Sequence, residues 1–276
     1  MTAELKQLME SIERDCLIET SETMDYPPVA LSLGEKLLKS HKGDQLLPVP
    51  IGTYGNFSFC QAPPKTKKTF FISLLASVYL SGTNNFAGKI KGHRDGRCLL
   101  HFDTEQGSWH AQRVFKRALD MADMENADNV CYYTYGLRTL NARMRIDFIE
   151  YCIKTKKSVG LVIIDGIADL VTDVNNLEDS NNCVQKLMEW SAKYKCHIIT
   201  VIHSNFGSDK PTGHLGSFLE KKCETQIQLE ANTVNKDWVT VKCKRSRGYA
   251  FETFSFEIND LGLPTIVGDL YDPLSD

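Results

Sequence analysis

Val159-Gly160-Leu161-Val162-Ile163-Ile164-Asp165 carries the clearest mark of the fold in this chain. It is apolar almost without a break and shows no polar alternation. A strand of this kind has both faces covered, as happens in a parallel sheet with helices packed above and below. Its last residue is a carboxylate. In parallel sheets ligands gather beyond the carboxyl ends of the strands, so Asp165 is also the first candidate site residue.

An alternation of strand and helix extends on both sides of this run. Upstream, residues 56–60, 97–102 and 130–133 read as strands, and 68–80, 108–124 and 139–154 as helices. Downstream, 178–194 reads as a helix and 197–202 as a strand. The alternation predicts an α/β fold with a doubly wound, mostly parallel sheet. After residue 224 the pattern changes to period two over 225–230, 238–243 and 253–258, with polar turns and no helix between. That predicts antiparallel strands added at the C-terminal end. Residues 1–50 read as an N-terminal arm. Leu5, Leu8, Met9 and Ile12 give it a short amphipathic helix over 2–14, and Pro27, Pro28, Pro48 and Pro50 break the remainder of the arm into irregular chain. Residues 51–276 form the main domain.

Composition narrows the class. At 42% hydrophobic and 24% charged residues, the chain reads as an ordinary globular domain. No apolar run reaches the roughly 18–20 residues of a membrane span, and the N-terminus has no apolar signal region. The expectation is a soluble, cytoplasmic protein with no membrane contact. Nine cysteines occur without a C-x-x-C pair. This argues against zinc and against a disulfide framework and predicts reduced thiols. With a formal net charge of −3, nucleic acid could be held only through a local patch.

The segment Ala62-Pro63-Pro64-Lys65-Thr66-Lys67-Lys68-Thr69, followed by Phe70, lies between a strand and an apolar helix. A phosphate loop needs backbone N–H groups turned inward and a Lys then Ser/Thr opening the helix. Lys68 and Thr69 meet that need, for phosphate and magnesium respectively. Ala62 and Lys67 stand where glycines are usual. A left-handed Lys67 costs about 1–2 kcal/mol, bearable if Lys65, Lys67 and Lys68 surround one polyanion. Asp165, about 100 residues further on, would hold magnesium through water as a hard oxygen ligand. Glu105, in Asp103-Thr104-Glu105 at another strand end, is placed to orient and polarise an attacking water. His203, at the tip of the strand over 197–202, is a candidate γ-phosphate sensor. The loop over 206–218 beyond it, with Gly207, Gly213 and Gly216, reads as mobile.

On these residues the chain resembles the RecA-like ATPases, and within them the RepA-type hexameric helicase branch of plasmids and mobile elements. The resemblance covers roughly 50–262. FDTE at 102–105 is similar to the strand-end glutamate motif, and LVIIDGIADL at 161–170 to the magnesium-side motif. VIHSNFGSDKPTGHLGSFLEKK at 201–222 is similar to the sensor strand and DNA-facing loop, and KCKRSRG at 242–248 to the basic finger reaching a neighbour's ATP. The resemblance implies ATP and Mg2+ as cofactors and assembly into a ring or filament with nucleotide between subunits. Arg245 or Arg247 would be the finger acting in trans, with Lys244 a third candidate. It also implies DNA, single- or double-stranded, held by Lys210, the 213–217 loop, Lys221, Lys222 and the 242–247 cluster. Such a protein would serve replication, helicase action or mobilisation of a mobile element. The alternative is a nucleotide-dependent assembly module with weak hydrolysis. A small-molecule phosphotransferase fits less well, because the C-terminal tail reads as strand and not as an Arg-rich helical lid.

Overall fold

A strand buried on both faces needs a strand on each side and a layer above and below, and the stretch at 159–165 has all of these. The computed structural model describes residues 2–22, 24–39, 43–126, 130–205 and 208–267. In chain order these form α1 (Ala3–Cys16), β1 (Val29–Leu38), β2 (Gln45–Thr53), β3 (Phe57–Ala62), α2 (Lys68–Ser81), β4 (Ile90–Gly92), β5 (Cys98–Asp103), α3 (Ser108–Met121) and β6 (Tyr132–Gly136). Next come α4 (Ala142–Thr155), β7 (Val159–Asp165), a 3-10 turn (Ile167–Leu170), α5 (Leu177–Tyr194), β8 (His197–His203), α6 (Gly213–Lys222), β9 (Thr225–Ala231), β10 (Val239–Ser246), β11 (Phe254–Ile258) and β12 (Pro264–Val267).

The main sheet has nine strands in the order β12-β11-β10-β9-β3-β8-β7-β5-β6. β3, β5, β6, β7, β8 and β9 are parallel, and β10, β11 and β12 are antiparallel. The apolar run of β7 divides between two cores in the period-two manner of a strand. Leu161 and Ile163 face a cluster built with α2, α3 and the small N-terminal sheet. Val162 and Ile164 face a second cluster built with α4, α5 and α6. Buried over Phe71 to Leu80, α2 is apolar all round because strands cover it on both sides.

The C-terminal expectation of antiparallel strands holds for β10 to β12 but not for β9. The reason is α6, which the glycines at 213 and 216 disguise as loop. It carries the chain back across the sheet, so β9 enters parallel to β3. Phe206 and Gly207, in the segment read as mobile, lie outside the described residues.

The chain between α1 and β3 also differs from the irregular reading. β1 and β2 pair antiparallel, and with β4 they make a three-stranded sheet in the order β2-β1-β4. Pro48 and Pro50 are accommodated because β2 is an edge strand, where a missing N–H costs no ladder bond. Ala30, Leu31 and Ile51 pack against α2 as part of the first core. α1 forms at 3–16, close to the expected helix, and none of its residues is buried. The two segments therefore predict opposite stability effects. Leu31→Ala should cost about 2–5 kcal/mol in urea unfolding, whereas removing residues 1–17 should change stability by no more than about 0.5 kcal/mol. An unfolding midpoint unmoved by Leu31→Ala would detach β1 from the core.

Candidate functional site

Parallel pairing puts several strand ends in one row. Ala62 is in register with His203, Asp103 with Asp165, and Asp165 with Val201. Beyond them opens a cleft of about 350 Å3 lined by Lys65 to Phe70, Asp103, Glu105, Gln106, Asp165 and His203. The sheet thus brings Lys68, Thr69, Glu105, Asp165 and His203 together. Of the residues read as loop, Ala62 is fully buried as the last residue of β3, its carbonyl accepting from Ser204 N at 3.0 Å. Pro63 gives its carbonyl to Thr66 Oγ1 at 2.8 Å, which tightens the turn. Pro64 continues that turn on the outside.

The loop makes its curve without glycine by using two left-handed lysines, Lys65 at φ 65° and Lys67 at φ 54°. Among the described residues, the N–H groups of Lys65 through Thr69 have no acceptor, while Phe70 N already donates to Lys67 O at 3.0 Å. A run of unbonded N–H groups at a helix start is an anion nest. The side chains diverge from the expectation of three cations around one anion. Lys67 Nζ donates to Asp237 O at 2.7 Å, across the turn that joins β9 to β10. Lys68 Nζ stays in the cleft and donates to His203 Nδ1 at 2.9 Å. With Nδ1 accepting, the neutral imidazole carries its proton on Nε2, which lies 3.9 Å from Glu105 Oε1. Burial lowers the pKa of both Lys68 and His203, and the lysine's charge lowers that of the histidine further.

The other side of the cleft is acidic. Burial first, then the charges of Asp103 and Glu105, push Asp165 up to about 7, opposed by Lys68. Its carboxylate accepts no hydrogen bond among the described residues. Glu105 is also raised, by burial and then by Asp169. No group of three or more His, Cys, Asp or Glu among the described residues is arranged to hold a metal alone. The donor set nonetheless fits a magnesium ion that takes most of its oxygens from a phosphate chain and water. Asp165 supplies an unshared buried carboxylate, and Thr69 supplies a hydroxyl at the helix start. A dication would also offset the excess of carboxylates.

Sequence reading missed the residues that hold this geometry. Asp103, within FDTE at 102–105, accepts from Glu105 N at 3.1 Å, Gln106 N at 2.8 Å and Gln106 Nε2 at 2.8 Å, fixing the turn that carries Glu105. Thr104 Oγ1 is 2.9 Å from Gly166 O and 2.8 Å from Asp169 Oδ2, tying the β5 turn to the β7 turn. Arg145 of α4 donates to the carbonyls of Asp169 at 2.6 Å, Leu137 at 3.2 Å and Arg138 at 3.2 Å, so one guanidinium joins the loops after β6 and β7. These contacts join residues far apart in sequence, and no local pattern announces them.

The basic segment of β10 lies elsewhere. β10 runs antiparallel to β9, so Lys244, Arg245 and Arg247 sit toward the amino-terminal ends of the parallel strands, opposite the cleft. Lys244 Nζ donates to Asp209 O. Arg247 donates from Nε to Cys223 O and from Nη2 to Lys222 O, both at 3.0 Å. Arg245 is exposed, and its guanidinium has no hydrogen-bond or ion-pair partner among the described residues.

A phosphate nest after the first strand of a parallel sheet, with carboxylates ending the two adjoining strands, defines a RecA-like P-loop core. A model of the AAA domain family AAA_25 matches residues 50–209, and the chain belongs to that family. Among solved structures it is similar to the ATPase domain of a helicase, at 14% sequence identity and a TM-score of 0.58, over 79% of this chain and 87% of that one. The likeness is one of fold. No curated protein sequence matches the chain. No helix among the described residues is long and apolar enough to cross a membrane.

Gly166 offers a test of this geometry. Its φ is 119°, and a Cβ there would stand 2.6 Å from Glu105 Oε1 and 2.8 Å from Thr104 Oγ1. Gly166→Ala should therefore lower stability by about 1–3 kcal/mol and displace Glu105. Thermal unfolding and a structure of the variant check both, and an unmoved Glu105 would show that the turn has room to spare.

Proposed function

We propose that the protein binds ATP with Mg2+ in the cleft, hydrolyses it at interfaces between copies of itself, and couples this to DNA. The observation that carries the reading is the convergence of Lys68, Glu105, Asp165 and His203 on one anion nest. The nest and Lys68 hold the phosphate chain, and Thr69 and Asp165 take the magnesium side. That ion, when bound, neutralises charge on the phosphate oxygens. Glu105 orients and polarises the attacking water. Desolvation and its acidic neighbours raise its proton affinity toward that task.

His203 is suited to a sensor role by its two attachments. Its ring accepts from Lys68, and its carbonyl accepts from Thr212 N at 3.1 Å and Thr212 Oγ1 at 2.8 Å. A phosphate that draws Lys68 away changes the histidine's hydrogen bond and, through the strand end, the chain from Ser204 to Pro211. That chain, with Lys210, Lys221, Lys222 and the 242–247 cluster, is the surface we assign to DNA. Of the finger candidates, Arg245 is favoured, because Lys244 and Arg247 are engaged within the subunit. Arg245 is too far round the sheet to serve its own cleft, so the role requires a neighbour. By resemblance the work is replication, helicase action or mobilisation of a mobile element, in a cytoplasmic protein with residues 1–50 as an arm outside the 51–276 ATPase domain.

One observation favours the second reading, an assembly module with slow turnover. The loop lacks glycine, and Lys67 is tied to the β9–β10 turn. Phosphate release with and without single-stranded DNA separates the two. The motor reading expects DNA-stimulated turnover, reduced at least about 100-fold by Glu105→Gln and abolished by Lys68→Ala. It also expects Arg245→Ala to lose about 1,000-fold in kcat while still binding ATP, and Arg247→Ala mainly to lose stability. Tight ATP binding by the unaltered protein with no turnover in any condition would sink the motor and leave the module.

A further inference from the structure

At the opposite edge of the main sheet lies a second cleft, of about 310 Å3, which none of the roles above uses. Arg97, Lys154, Lys156 and Lys195 line it with Ser158 and Tyr194, and no carboxylate lines it among the described residues. Its volume is close to that of the cleft assigned to ATP, but its charge is uniformly positive. Two of the cations are fixed in place. Arg97 donates to Lys195 O at 2.9 Å and lies 4.1 Å over the Tyr54 ring, and Lys156 Nζ lies 4.3 Å over the Tyr133 ring. Lys154 is the neutralised member, paired with Glu150 at 2.6 Å.

Lysines at a helix C-terminus ordinarily complement the helix dipole. That accounts for Lys154, in the last turn of α4. It does not account for Arg97, which is on no helix, or for Lys156 and Lys195, which lie past the helix ends. Ser158 and Lys195 are both left-handed, at φ 53° and 51°, where glycine or asparagine is the easier choice. Retaining lysine in a strained position facing a cationic cleft points to a charge that is used. The exposed neighbours Lys157 and Lys193 extend the charge beyond the cleft itself.

We infer that this cleft binds the phosphodiester backbone of a single-stranded nucleic acid, with Tyr194 as a wall for a sugar or base. Uniform cationic lining without a carboxylate selects phosphate oxygens. The continuation of charge past the cleft suits a strand more than an isolated phosphate, and the cleft is too small to seat a duplex. Aromatic rings interleaved with cations are the usual surface for an unpaired strand. Binding here depends neither on ATP hydrolysis nor on the DNA surface assigned above.

The test is fluorescence anisotropy of a labelled oligothymidylate of about 20 nucleotides with the full chain, across salt concentrations and without nucleotide. The variant is Lys156→Gln with Lys195→Asn, asparagine being tolerated at φ near 50°. The expected result is about tenfold weaker binding, with a salt slope smaller by about 1.4 for the two phosphates lost. The variant's melting temperature should match that of the unaltered protein. Unchanged affinity and slope would overturn the inference. So would displacement of the strand by pyrophosphate at matched charge, which makes this a small-phosphate site, or by polyglutamate, which removes the preference for phosphate. A 4-thiothymidine strand provides a reading independent of the variant. Crosslinks in the peptide holding Tyr194 support the site, and crosslinks only elsewhere reject it.

Discussion

Three carboxylates crowd against one buried ammonium at the carboxyl edge of the sheet, and the rest of the site is arranged around that imbalance. Asp103, Glu105 and Asp165 share the strand-end row with Lys68, whose charge favours ionisation of Glu105 and Asp165 but cannot satisfy both. The fold offsets the crowding unequally. Asp103 is consumed by the N–H groups of its own turn. Glu105 is steered toward His203. Asp165 is left buried without a hydrogen bond among the described residues, a costly state for a carboxylate. The cost is relieved only when something cationic arrives, which is how a structural deficit becomes affinity for a metal-bound phosphate chain.

That imbalance also explains why residues remote from the chemistry matter. Like charges held close push apart unless the turns that carry them are fixed. Thr104, Asp169 and Arg145 supply the fixing by joining the turns after β5, β6 and β7 through carbonyls and one carboxylate. Gly166 makes the joining possible, because a side chain there would occupy the volume of the Glu105 carboxylate. The four residues function as one brace.

The parts legible in the sequence are those where one local rule dominates. The run at 161–164 is readable because burial on both faces leaves no polar position. Asp165, Glu105 and His203 are readable because each ends such a run. β2 is hidden because Pro48 and Pro50 argue against a strand unless the strand is known to be an edge, and that is a property of the sheet. α6 is hidden because Gly213 and Gly216 imitate a loop. Yet Gly213 turns at φ 69°, and Gly216 is small because a Cβ would stand 2.6 Å from the Pro211 backbone. Arg145 gives no signal, since its role exists only once three loops have met.

The glycine-free loop is where the two functional readings diverge, and the conformations of its lysines weigh on each. Two left-handed residues cost about 1–2 kcal/mol each, and the fold keeps the bend with side chains that could do further work. Lys67 bends the chain and anchors itself to the β9–β10 turn, so the loop is held in shape before any ligand arrives. Preorganisation of this kind favours binding, because little ordering remains to be done when phosphate enters. It also opposes loop movement during turnover. Since Lys67 reaches toward the strand that carries Arg245, movement of β10 against a neighbour would pull on the phosphate loop directly. In that arrangement the missing glycines are a mechanical link between subunit contact and nucleotide grip, and the rate of hydrolysis becomes a property of the assembly more than of the single chain.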